Sequence, residues 1–260
     1  MEKQMTKIDQ ELSRLKSEYR WRDSGNIPSD RYSHFNESAL LHSQSLERNL
    51  LALLRRHGCT DLHEKKILDV GCGTGGHLQR FLDYGAISTN LFGIDLMAHR
   101  IEQAKQRHPA INWQVGSAHR LPYKDANFDL VTSFVVFSSI LDESLRRQIA
   151  REIWRVLKPG GLILLHDFIY SNPRNPAAQG ISHRQILNLF EQPGANFDFR
   201  RITLAPPLSR IVAPRAYWLA FMLEHLKILN THTIGIISES RDAFLAPSYN
   251  KEQEGSFRLY

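Results

Sequence analysis

Between Lys65 and Phe168 short apolar runs alternate with polar, amphipathic stretches, the pattern of strands and helices taken in turn. Ile67, Leu68 and Val70 make a first apolar run that ends in glycines, and Leu91 to Ile94 make a second that ends at Asp95. Ile111 to Val115, Phe128 to Ser133 and Leu162 to Leu165 supply three more. Runs that are apolar on both faces fit parallel strands covered by helices on either side. Ala98 onward carries Ile101 and Ala104 at helical spacing, and a helix from about Ser144 ends at Leu157, before Lys158-Pro159-Gly160-Gly161. That stop has a cause, because the residue before a proline avoids the helical region and glycines accept positive φ.

Upstream, Leu40, Leu41, Leu46, Leu50, Leu53 and Leu54 place an amphipathic helix over Glu37 to Arg56. The leader before it, residues 1–37, is polar yet holds Tyr19, Trp21, Arg31, Tyr32 and Phe35. Downstream, Ile169 to Gly180 is a loop rich in Pro, Asn and Gly. Ser182 to Glu191 reads as helix and Ala195 to Ala205 as strand. Pro206 to Leu229 carries a helical pattern through Trp218, Leu219, Phe221, Met222 and Leu226, and His232 to Ser238 is a short apolar strand that closes the sheet. Residues 239–260 have the low hydrophobic content of a flexible tail.

Composition narrows the class. With 260 residues, 42% of them hydrophobic, one core suffices. Cys59 and Cys72 supply neither a disulfide framework nor a four-ligand zinc site, and no metal-ligand spacing appears. The first twenty residues are charged throughout, without the apolar core of a signal, and no run reaches membrane-spanning length, so a soluble, cytoplasmic protein is expected. The net charge of +6 is spread over short pairs such as Arg55-Arg56 and Arg146-Arg147, which read as solvated faces and name no anionic partner.

The chemistry concentrates in KKILDVGCGTGGHL, Lys65 to Leu78, where a buried strand breaks into glycines and opens a helix. Gly71, Gly73, Gly75 and Gly76 let the backbone turn and approach a ligand, and the helix start offers free N–H groups. Gly71, Gly73 and Gly76 satisfy the dinucleotide pattern G-x-G-x-x-G. Asp69, two places earlier, repels a pyrophosphate and favours an ammonium. Asp95 stands 19 residues beyond Gly76, where a carboxylate accepts hydrogen bonds from ribose hydroxyls. A helix N-cap is the other reading of Asp95. Cys72 fits there as a small packing residue.

The string Asp69 to Gly76, Asp95, the Gly116-Ser117-Ala118 stretch with Leu121-Pro122, and Leu157 to Gly161 together resemble class I S-adenosylmethionine-dependent methyltransferases, in the order and spacing of that family. RYSHFN, Phe137 to Asp142 and the Asn172 to Pro176 loop extend the likeness to bacterial small-molecule methyltransferases of the type 11 kind. The resemblance implies an α/β, Rossmann-like, doubly wound seven-stranded sheet with the last strand antiparallel. It also implies an N-terminal helical lid over residues 1–37, a methyltransferase domain over residues 38–238, and a substrate-pocket insertion at residues 205–231.

S-adenosylmethionine is the implied cofactor, with S-adenosylhomocysteine as product. Its implied contacts are Arg31, Tyr32, Asp69, Gly71, Cys72, Gly73, Gly75, Asp95, Leu96, Ser117, Ala118 and Phe134. Ser117 stands where the family often has an Asp for the adenine amine, and a neutral hydroxyl accepts that bond more weakly. His166 is the candidate base and Asp167 its neighbour. Consecutive strand residues face opposite ways, so only one of the two aims at a given pocket wall. Tyr170, Asn172 and His232 are candidates for the acceptor, with a satisfied strand-start histidine as the other reading of His232.

The expected partner is a small molecule, a glycan or secondary-metabolite intermediate among the candidates, methylated on O or N. A nucleic-acid methyltransferase is the alternative, against which stands Phe134-Val135-Val136-Phe137 in place of an N-P-P-aromatic motif. A non-catalytic binding module on the same fold is a further one.

Overall fold

The computed structural model describes residues 6–26, 28–173 and 175–239, so all but the first residue of the expected tail lies outside the described residues. Seven strands form one sheet: β1 (Ile67–Val70), β2 (Leu91–Asp95), β3 (Asn112–Val115), β4 (Phe128–Phe134), β5 (Leu157–Phe168), β6 (Ala195–Leu204) and β7 (Asn230–Glu239). Their spatial order is β3-β2-β1-β4-β5-β7-β6. The first five are parallel, and β7 runs antiparallel to both β5 and β6. This is the doubly wound, Rossmann-like sheet expected, with its last strand antiparallel. That strand does not close an edge, however. It slots between β5 and β6, and β6 becomes the edge.

Alternation along the strands divides the interior in two. Ile67, Leu130, Leu164 and Ile234 face Leu46, Leu50, Leu78 and Phe81 from helices α2 (Glu37–Arg56) and α3 (Gly76–Asp83). Leu68, Val131 and Ile163 face Leu15 of α1 (Lys7–Trp21), Ile149 and Ile153 of α5 (Glu143–Val156) and Ile186 of α6 (His183–Phe190). Both faces are therefore covered, as the two-sided apolar runs require. Helix α4 (Ala98–Arg107) connects β2 to β3. The order of connection reverses between β1 and β4, so the crevice beyond their carboxyl ends is where this architecture binds ligands.

Helix α1 lies in the leader where a helical lid is expected, and its bounds have a local cause. Thr6 and Asp9 form a reciprocal capping box at its start. Ile8, Leu12, Leu15 and Tyr19, at helical spacing in a polar background, pack it onto the sheet.

Two other differences have local causes. Strand β5 absorbs Lys158 to Gly161 instead of starting after it, with Gly160 at φ +73 and a register shift opposite Phe128 and Leu130. The helical pattern after β6 splits into α7 (Pro206–Val212) and α8 (Tyr217–Glu224), with Pro214 between them. Both pack on α2 through Leu41, Leu204, Ala213 and Ala220.

Candidate functional site

A cleft of about 500 Å³ opens at the carboxyl ends of β1 and β4, lined by the loop Gly71 to Thr74 with Gly76, by His77 and Phe134, and by Asp23, Arg100 and Gln103. Gly73 holds φ +54, and a Cβ there would meet nothing closer than Arg100 Nη1 at 3.9 Å, so its missing side chain leaves open space on the cleft side. Gly75 is different. A Cβ there would lie 2.5 Å from the Trp113 ring, so this glycine serves the packing of α3 against β3 and does not line the cleft.

Asp69 and Asp95 lie at the carboxyl ends of β1 and β2, buried behind the glycine loop and outside the cleft's lining. Asp69 is buried, its Oδ1 accepts the Thr132 hydroxyl at 2.7 Å, and its Oδ2 has no partner. Burial pushes its carboxyl up to about 7, opposed by the Thr132 bond and aided by the charge of Asp95. The Asp95 carboxylate accepts the Gly73 N–H on Oδ2 and the Met97 N–H on Oδ1, both at 2.8 Å. It is thus a staple holding the glycine loop to the start of α4, with further lone pairs left on each oxygen. The N-cap of α4 is Met97, not Asp95.

Behind the cleft runs a column of rings on the α2 and α3 side of the sheet. His77 stacks on Phe134 with centroids 3.8 Å apart, Phe134 tilts against His166 at 6.2 Å, and His166 stacks on His232 at 5.4 Å. Strand register produces the column: Phe134 pairs with His166 across β4 and β5, and Phe168 with His232 across β5 and β7. His42 of α2 bonds the Leu204 carbonyl at 3.1 Å. Burial pushes all four imidazoles down, His42 to about 4, His77 and His166 to about 3 and His232 to about 2. They are held neutral. Both ring nitrogens of His166 are buried without a partner.

Asp167 points to the opposite face, as strand alternation demands. Its Oδ2 accepts the Ser138 N–H at 3.0 Å and its Oδ1 the Phe168 N–H at 2.8 Å. Those bonds anchor the turn after β4, where Val135 holds φ +58, a strained conformation for a β-branched residue. Desolvation raises the Asp167 carboxyl to about 6. Its partners are backbone groups of the fold, on the face away from His166, as expected of consecutive strand residues.

Other expected site residues separate. Phe134, Gly71, Cys72 and Gly73 line the cleft, with the Cys72 thiol pushed up by burial and so unsuited to act as a nucleophile. Leu96 and Ala118 pack against the core instead. The Ser117 hydroxyl bonds His119 Nδ1 at 2.7 Å. Arg31 and Tyr32 are exposed on the turn Ser29–Tyr32 and do not line the cleft. Tyr170 is exposed, 3.4 Å from an Arg201 nitrogen, and Asn172 lies exposed on the loop after β5.

The leader does reach the site, through other residues. Asp23 bonds Arg100 at 2.6 and 2.8 Å and His99 at 2.6 Å, and the Arg100 guanidinium lies 4.5 Å from the Tyr19 ring centroid. Tyr19 Oη lies 3.0 Å from Ser139 Oγ. Sequence reasoning missed Asp23, Arg100, His77 and His42. Of these, only His77 carries a sequence signal, its place at the end of the glycine loop.

Residues 67–161 match a family model described as a methyltransferase domain. The chain is 31% identical over 138 residues to a ubiquinone/menaquinone biosynthesis C-methyltransferase of Geotalea daltonii, a match covering 51% of this chain and 57% of that one. It is 35% identical over 104 residues to a demethylmenaquinone methyltransferase of Streptomyces griseus, covering 40% and 43%. The chain spans about half the length of these curated relatives. An S-adenosylmethionine-dependent methyltransferase from Mesorhizobium loti shares the fold, with a TM-score of 0.52 at 18% identity over 72% of this chain and 95% of that one.

Proposed function

We propose that the chain transfers a methyl group from S-adenosylmethionine to a small-molecule acceptor, a reading supported by the methyltransferase-domain match over residues 67–161 and by the shared fold. The observation that carries this reading is the unpartnered, buried Oδ2 of Asp69 at the strand end that feeds the glycine loop, whose Gly73 leaves open space toward the cleft. A carboxylate oxygen without a donor in so dry a place is costly until a cation reaches it. A ligand with an ammonium group supplies that cation, and a dinucleotide's pyrophosphate does not.

The cofactor contributes an electrophilic methyl group on a sulfonium. The chain's own groups do the rest. Asp69 holds the ammonium, the Gly71 to Gly73 backbone lets the ligand lie close, and the free lone pairs of Asp95 face a hydroxylated ring. Phe134 and His77 wall the cleft on the side of the ring column. Alignment of donor and acceptor in such a cleft supplies as much as ~7–11 kcal/mol of a displacement barrier.

His166 is the residue to receive an acceptor proton. Its nitrogens have no partner, but it sits behind Phe134 outside the cleft's lining, and its low basicity restricts it to taking the proton late, once methyl transfer has made the acceptor oxygen cationic. The latch of Asp23 on Arg100 and His99 supports a lid role for the leader, with Asp23 and Tyr19 in the place first expected of Arg31 and Tyr32. Curated relatives named as quinone methyltransferases favour a small aromatic acceptor over a nucleic acid.

The test is calorimetry with S-adenosylmethionine and S-adenosylhomocysteine, followed by transfer of an isotopically labelled methyl group to quinol and phenol panels. Binding of both, abolished in Gly73→Arg, supports the reading. Binding of NAD in their place overturns it.

A further inference from the structure

The insertion between β6 and β7 presents an apolar surface that its own fold does not cover. On α7, α8 and the turn that follows, Trp218 is 69% exposed, Met222 57%, Ile211 61% and Ile228 82%, and Leu219 and Leu226 are exposed beside them. The apolar face ends at a depression where Arg210 and Pro214 meet Phe35, 97% exposed, and the exposed acids Asp30 and Glu37. A soluble surface scatters such residues singly, and a contiguous set marks a place of contact.

Charge decides what makes the contact. From Ala205 to Leu229 the exposed ionic residues are Arg210, Arg215 and Lys227, and the one acidic residue, Glu224, is buried against Arg48 at 2.9 Å. Helix α8 is apolar around most of its circumference, with a tryptophan near its start and cations at either end of the insertion. Tryptophan and long aliphatic side chains flanked by arginine and lysine suit a helix lying in the boundary layer of a bilayer. Asp30 and Glu37 offset Arg210 alone, and a twofold contact centred on α8 would set Arg215 and Lys227 against copies of themselves with no exposed acid of the insertion between them. Among the described residues no helix is long and apolar enough to cross a membrane, so contact at the surface is the form open to this face.

We propose that the α7–α8 insertion docks on an anionic lipid surface, with Trp218, Leu219, Met222 and Ile228 entering the interface and Arg210, Arg215 and Lys227 meeting the headgroups. The insertion leaves the sheet at the carboxyl end of β5, where Phe168 pairs with His232 and Ile202 pairs with the same histidine. Docking therefore brings the ring column and the cleft to the bilayer. Resting on the methyltransferase reading, this makes an acceptor that partitions into membranes the natural substrate class.

Vesicle binding tests the surface, and methyl transfer tests the reading, so the two fail separately. The full chain is co-sedimented with vesicles of phosphatidylglycerol and phosphatidylcholine in equal parts, and with phosphatidylcholine alone. Binding to the mixed vesicles, weaker to the neutral ones and reduced by added salt, is expected. Arg210→Glu with Lys227→Glu lowers affinity by more than about tenfold, at about fivefold or more for each cation lost. Because both are exposed, this variant keeps the fold even if Trp218→Ser with Met222→Ser does not. Trp218 fluorescence quenched by brominated lipid supports the geometry. No binding to anionic vesicles overturns the proposal. So does unchanged affinity in the charge variant, or a dimer that Trp218→Ser disperses in solution without any vesicle binding.

Discussion

The Thr132 hydroxyl donates to Asp69 Oδ1 at 2.7 Å across the β1–β4 pair, and Oδ2 of the same carboxylate is left buried with no donor. One oxygen is fixed by the fold, and under the proposed function the other is left for the ligand's ammonium.

Asp69→Asn should raise the melting temperature while lowering affinity for S-adenosylhomocysteine by tenfold or more. An amide removes the buried charge but cannot pair with an ammonium. In the wild type, affinity should fall as pH drops below about 7, because the carboxyl must ionise to bind the cation. Calorimetry between pH 6 and 8 reads both effects. A pH-independent affinity in the wild type would remove Asp69 from the ligand site.

Asp95→Asn acts on the fold as well as on binding. Each carboxylate oxygen receives a backbone N–H, and the amide nitrogen of Asn can accept neither. The loss is about 1.5–3 kcal/mol for one charge-assisted bond. Urea unfolding should show that decrease alongside weaker cofactor binding in the protein that remains folded. Lost binding at unchanged stability would mean that the glycine loop does not depend on this staple.

His166→Gln should lower turnover by about 100-fold with cofactor affinity unchanged, once an acceptor is in hand. The residue is separated from the glycine loop by Phe134 and His77, so its loss leaves the cofactor's contacts intact. Near-normal turnover would transfer the proton-accepting role to His77, which lines the cleft itself.

How much the sequence disclosed depends on the range of the interaction. The five parallel strands and the helix Glu37–Arg56 follow from local periodicity, Asp69 and Gly73 from a contiguous motif, and Asp95 from its distance to that motif at the next strand's end. Phe134 and His166 were nameable from strand ends, because register carries polar residues at those ends to the crevice. The Asp23 to Arg100 latch joins residues 77 apart, and no local pattern announces such a pair. Arg31 and Tyr32 have the chemistry for a carboxylate, while capping at Thr6 and the apolar stripe of α1 bring Asp23 to the cleft and Tyr19 against Arg100 instead. Gly75 looks the same as Gly73 in the sequence. Only the position of Trp113 separates packing from binding.

The ring column makes a prediction about stability. His42, His77, His166 and His232 are held neutral, with folded values of about 4 and below against about 6.5 in the unfolded chain. Between those limits the unfolded chain takes up protons that the native state refuses, so stability falls as pH drops below 6.5. Asp69 and Asp167 oppose this, because their raised values, about 7 and about 6, let the native state bind protons that the unfolded chain lacks above pH 4. Four histidines against two carboxyls leave a net uptake of about two protons on unfolding near pH 5. That corresponds to a loss of about 2.7 kcal/mol per pH unit there. Urea titrations at pH 7, 6 and 5 should show the midpoint falling with growing steepness, and His232→Phe should remove about one proton from the slope. A midpoint that stays level or rises toward pH 5 would show that the imidazoles are solvated in the native state, and the dry column with them would be lost.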